Sequence, residues 1–116
     1  MTDSLHDLRD ALRGFAAARD WDQFHSPRNL ATALAVEAAE LLEPFQWFGE
    51  DAGRELPPAT RAAVVEEMAD VLLYLVRLAD KLDVDLIEAA RAKMAHNAAK
   101  YPVEKSRGSS RKYDEL

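Results

Sequence analysis

The sequence predicts an all-α fold, a four-helix domain, on three observations. Helix formers dominate, with 21 Ala and 15 Leu against 11 Val, Ile and Thr together. Apolar residues recur at helical spacing in several segments, with no sustained alternation. Glycine is scarce, and three of the four (Gly49, Gly53, Gly108) fall in segments that read as loops.

The first helix is expected from about Ser4 to Arg19, where Leu5, Leu8, Leu12 and Phe15 form one stripe. The second starts at Ser26-Pro27, an N-cap followed by proline at the first helical position, and Pro44 stops it. A connector carrying Phe45, Trp47 and Phe48 leads to the third helix, from Pro58 to about Leu82. Its expected apolar stripe is Val64, Met68, Val71, Leu75, Leu78 and Leu82. The fourth opens on Asp85-Leu-Ile-Glu88, a capping-box-like start, and runs to about Lys100, before Pro102.

Length and charge narrow the function. At 116 residues one core is available, which points to a single domain over 1–104 and a flexible basic tail over 105–116. The net charge is −6, with +2 in the tail and therefore −8 in the body. That balance argues against a nucleic-acid polymer as partner. There is no cysteine, so thiol and Fe–S chemistry are excluded. No apolar run is long enough to cross a membrane, and the polar start is unlike a targeting peptide, so a cytoplasmic location is expected.

Two pairs of carboxylates are out of place. Glu37 lies on the apolar stripe of Leu30, Leu34 and Leu41, and Glu40 sits to its side. On the third helix Glu67 and Asp70 share one face, with Tyr74 one turn further. If the two helices are antiparallel neighbours, four carboxylates converge. Salt bridges to another helix are one way to compensate them; a divalent cation is the other. All-oxygen ligands favour Mg²⁺, with Mn²⁺ also suitable. A di-iron site is disfavoured, because no histidine follows a glutamate by three residues. Mg²⁺ held this way usually bridges to substrate phosphates.

On the fourth helix Lys93, Asn97, Lys100 and Tyr101 recur along one side, a row that suits a triphosphate or forms a solvated basic face. No nucleophilic triad and no P-loop is present, so direct attack by water fits better than a covalent intermediate. Any of the four carboxylates, or the adjacent Glu66, could serve as general base.

These motifs resemble the MazG-like all-α nucleoside triphosphate pyrophosphohydrolases, closest to their dCTP pyrophosphatase branch. The resemblance rests on Glu37-Ala-Ala-Glu40 followed by Glu67-Met-Ala-Asp70, on the Arg19 to Leu30 segment and on Phe45-Gln-Trp47. It extends to Lys93-Met-Ala-His-Asn-Ala-Ala-Lys-Tyr-Pro102 and to the tail Ser109-Ser-Arg-Lys-Tyr113. Val36 stands where the wider family pattern has its first glutamate, a departure shared with that branch. The resemblance implies a Mg²⁺-dependent reaction, NTP and water to NMP and pyrophosphate, with dCTP and 5-modified dCTP as substrates. It implies a homodimer or homotetramer, with Glu37, Glu40, Glu67 and Asp70 as metal ligands. Trp21, His25 and Trp47 would contact the base and Tyr74 the sugar. Lys112, with Arg111, would fold over phosphate. A broader nucleotide specificity, or a non-enzymatic helical dimerisation module with salt-bridged acidic pairs, are the alternatives.

Overall fold

The computed structural model describes residues 4–48 and 55–116. The stretch 49–54 of the connector, with Gly49 and Gly53, lies outside the described residues. All regular elements among the described residues are helical, as the sequence predicts. Helix α1 is Leu5–Ala18, α2 is Pro27–Leu42, α3 is Pro58–Lys81 and α4 is Leu86–Lys100. A short helix, α5, follows at Val103–Ser106, and single 3₁₀ turns occupy Asp22–Phe24, Glu43–Phe45 and Tyr113–Glu115.

The helix ends follow from local chemistry. Ser4 Oγ accepts from the Asp7 N–H, Ser26 Oγ from Asn29 and Asp85 Oδ1 from Glu88, each filling an orphan donor of a first turn. Pro27 sits at the start of α2, where its missing N–H costs nothing. The end of α1 is a Schellman motif. Asp20 takes a left-handed conformation (φ 54°), its N–H donates to the Ala17 carbonyl, and the Trp21 N–H donates to the Ala16 carbonyl. That closure folds Trp21 back over the last turn of α1.

The chain divides into two compact units, 1–83 and 84–116. In the first unit α3 is the central element, packed on both α2 and α1. The buried core is small: Ala16 of α1, Leu30 of α2, and Val64, Val76 and Ala79 of α3. The apolar stripe expected on α3 needs correction. Val64 is buried, but Met68, Leu75 and Leu82 are exposed (56%, 36% and 55%). A helix with two neighbours is apolar over a wide arc, so periodicity alone does not choose which stripe faces inward. Arg77 is buried in place of an aliphatic residue, at 6% exposure.

In the second unit α4 buries no side chain. The segment read from sequence as a flexible tail, 105–116, carries the end of α5 and the last 3₁₀ turn. Within this unit the Tyr113 ring meets Tyr101 edge-on at 6.3 Å, and Lys100 Nζ lies 4.5 Å from the Tyr113 ring centre. No helix among the described residues is long and apolar enough to cross a membrane.

Candidate active site

Two features in the first unit meet at Asp70. One is a carboxylate cluster. Glu37 of α2 and Glu67 and Asp70 of α3 each offer an oxygen, and the three oxygens lie within 4.8 Å of one another. Glu67 and Asp70 share a face through their i, i+3 spacing. Glu37 reaches them because α2 and α3 run antiparallel. The region of Leu30 lies near Asp70 and Leu73, while Glu37 lies near Glu67.

Among the described residues no cation compensates the cluster. One oxygen each of Glu37 and Glu67 (Oε2 in both) is buried without a hydrogen-bond partner among the described residues. Among the described residues ion pairs join Arg9, Arg13, Arg77 and Lys81 to Asp10, Asp22 and Asp80, and none of these reaches Glu37, Glu40, Glu67 or Asp70. The salt-bridged reading of these acids therefore finds no support there. The Glu67 carboxylate pressed against Glu37 pushes the Glu37 pKa up to about 7, with burial and the nearby Glu40 and Asp70 adding to the effect. Like charges this close favour the neutral acid unless a cation joins them. All-oxygen donors with orphaned, half-buried lone pairs are the donor set a hard divalent cation takes.

The other feature is a cavity of about 150 Å³, lined mainly by Phe15, Trp21, His25, Tyr74, Arg77 and Asp70. Phe15 and Trp21 meet edge-on, ring centres 5.8 Å apart, and the Arg19 guanidinium stacks 3.5 Å above the Phe15 ring centre. The lining is aromatic and apolar, with a few polar atoms from His25, Arg77 and Asp70, as small-molecule sites generally are.

Sequence reasoning did not anticipate the group that anchors this cavity. Buried Arg77 donates from Nε to His25 Nδ1 at 3.1 Å, from Nη2 to Asp22 Oδ1 at 2.7 Å, and from Nη1 to Asp80 Oδ2 at 3.3 Å. Asp80 also receives Arg13 of α1, at 2.7 and 2.5 Å, and Lys81 pairs with Asp22. The Arg13 bond, seconded by Arg77, holds the Asp80 carboxyl below its ordinary range. His25 is shifted downward, by burial first and then by Arg77 and Lys81. A signal was available: Arg77 is seven residues beyond Asp70 and three beyond Tyr74, on the same face of α3.

The structure brings together Glu37, Glu67 and Asp70, and brings Trp21, His25 and Tyr74 into the cavity beside them. Glu40 does not come within the 4.8 Å group; it stands half-buried beside Glu37. Glu66 is exposed and outside the cluster, as the 100° step from Glu67 requires. Trp47 is 86% exposed and does not line the cavity. Lys93, Asn97, Lys100, Tyr101 and Lys112 all belong to the second unit, where Lys93, Asn97 and Lys112 are exposed.

Known proteins resemble this chain. The family model described as MazG-like matches residues 32–116. The mouse and human proteins named dCTP pyrophosphatase 1 are each 50% identical over 115 residues, covering 97% of this chain and 68% of theirs. The crystal structure of a pyrophosphatase from Archaeoglobus fulgidus superposes with a TM-score of 0.81 at 42% identity, covering 88% of this chain and 95% of that one. The chain belongs to the MazG-like family and is a pyrophosphatase enzyme.

Proposed function

We propose that this enzyme converts dCTP and water to dCMP and pyrophosphate, with Mg²⁺ as its cofactor, and that it accepts 5-modified dCTP. The observation that carries this reading is the shared position of Asp70, which belongs both to the carboxylate cluster and to the aromatic cavity. A nucleotide whose base enters the cavity has its phosphates directed towards the acids. The relatives named for dCTP support the choice of base.

Glu37, Glu67 and Asp70 would hold the cation, with Glu40 completing the set from beside Glu37. When bound, Mg²⁺ supplies charge neutralisation and Lewis-acid polarisation at phosphate oxygens. The protein's own groups do the rest. Trp21 and Tyr74 offer ring faces to a base and sugar, and His25 offers a polar edge. The half-buried seam between α2 and α3 limits the water around the acids, which strengthens their pull on a cation. Exposed Trp47 and the Lys93, Asn97, Lys100, Tyr101 and Lys112 set are assigned to base and triphosphate in the assembled enzyme.

That assembly is a dimer or a dimer of dimers. Val36, Leu42, Val65, Met68, Leu72 and Leu75 on α2 and α3 are exposed. Helix α4, fifteen residues long, buries nothing, and a helix of that length is marginal in water unless it packs. A second copy supplies the missing cover.

Incubation of the pure protein with each dNTP and Mg²⁺, followed by quantification of monophosphate and pyrophosphate, tests the reading. dCTP is expected to give the highest kcat/KM. A panel in which another nucleotide is preferred supports the broader-specificity alternative.

A further inference from the structure

The cavity contains a histidine whose protonation pattern is dictated by its neighbour. A guanidinium has donors only and stays charged, so it never accepts a hydrogen bond. Arg77 Nε donates to His25 Nδ1 at 3.1 Å, so Nδ1 presents its lone pair. In a neutral imidazole the proton is then on Nε2. We propose that Arg77 is a positioning residue that locks His25 as the Nε2–H tautomer, so that the imidazole meets the nucleotide base only as a hydrogen-bond donor, to an acceptor atom on the base edge.

Arg77 is built for this task. It is buried, and all three of its nitrogens are engaged by separate partners, so it cannot swing away without stranding charges. Asp22 is itself gripped by Lys81, and Asp80 by Arg13, which fixes the fork from both sides. The charged and titratable groups around the ring are Arg77, Lys81 and Asp22, with Asp70 and Tyr74 on the same cavity wall. Burial and the two cations outweigh Asp22 and hold His25 below its ordinary pKa, in keeping with a neutral ring. A second proton on Nδ1 would point at the Arg77 N–H. With Nδ1 consumed, the one ring nitrogen left for a ligand is Nε2. A base with a carbonyl oxygen or unprotonated ring nitrogen at that point is accepted. One presenting N–H there leaves two donors face to face, which a desolvated site penalises strongly.

The inference rests on the proposed nucleotide substrate for its role in binding, but its core is measurable without substrate. Nitrogen-15 NMR of the histidine rings in nucleotide-free protein, with His25 assigned through His25→Asn, reads the tautomer directly. Nδ1 is expected to be unprotonated and Nε2 protonated in wild type; protonation at Nδ1 overturns the proposal. Arg77→Met should release the tautomer and raise KM for dCTP about tenfold, the worth of one hydrogen bond, with kcat of folded enzyme changed less than threefold. Arg77→Lys, which keeps a charged donor between the two aspartates, should preserve the tautomer and restore most of the KM. A folded Arg77→Met with wild-type His25 shifts and KM overturns the proposal. If that variant does not fold, the wild-type tautomer and the Arg77→Lys pair of readouts still decide it. Absence of any nucleotide turnover in wild type would instead remove the substrate reading and leave the tautomer result standing on its own.

Discussion

Glu37 and Glu67 face each other across the seam between α2 and α3, each with a buried carboxylate oxygen that no donor among the described residues satisfies. Their proximity, more than burial, is what raises the Glu37 pKa to about 7. In the metal-free protein the pair is a stored repulsion, relieved by a proton or by a cation.

The sign of the pH dependence follows. The Glu37 pKa is higher folded than its ordinary 4.5, so the folded state holds this proton more tightly than the unfolded chain. The contribution is fully present below about pH 4.5 and is lost as pH rises through about 7. Melting of the metal-free protein in EDTA is expected to show a lower Tm at pH 8 than at pH 6. Mg²⁺ should reduce that difference, because it competes with the proton for the same oxygens.

Glu67→Gln separates the two roles of this carboxylate. The amide donates to Glu37 and removes one charge, so metal-free stability is expected to hold or rise. Binding to the native state stabilises by mass action, on the order of 2.7 kcal/mol at a hundredfold excess over Kd. Wild type should therefore gain Tm with Mg²⁺, and Glu67→Gln should gain little. Activity should fall by at least about a hundredfold, as loss of a group stabilising transition-state charge does. Differential scanning fluorimetry and a pyrophosphate assay read both.

Asp80 is the shared acceptor of Arg13 and buried Arg77. Asp80→Ala leaves the Arg77 guanidinium short of a counter-charge in the interior. The expected loss is about 3 kcal/mol, read by urea denaturation. Arg13→Ala is expected to cost less, because Arg13 is half exposed and Asp80 keeps Arg77.

Asp83 closes α3 in the left-handed region, at φ 54°. Glycine adopts that conformation without the Cβ penalty. Asp83→Gly is expected to stabilise the protein by about 0.5–1 kcal/mol with unchanged kinetics, checked by thermal melting and the dCTP assay.

The caps of α2 and α4 were legible because each is written locally, in a Ser or Asp three residues before the N–H it receives. The acidic cluster was legible because carboxylates on an apolar stripe conflict with burial. Three of the expected four offer oxygens within 4.8 Å of one another, and Glu40 stands beside Glu37 outside that group. The inward side of α3 was not legible. Met68, Leu75 and Leu82 looked like core but are exposed, whereas Arg77 looked like a surface charge but is buried. Asp80 is its i+3 neighbour on α3, but Asp22 and His25 come from the turn before α2, and only the tertiary fold joins those two to it.

The products of dCTP turnover decide whether the enzyme cleaves between the α- and β-phosphates. dCMP and pyrophosphate are expected in equal amounts, dependent on Mg²⁺ and abolished by EDTA. Release of inorganic phosphate with dCDP, or turnover undiminished in EDTA, would contradict this expectation.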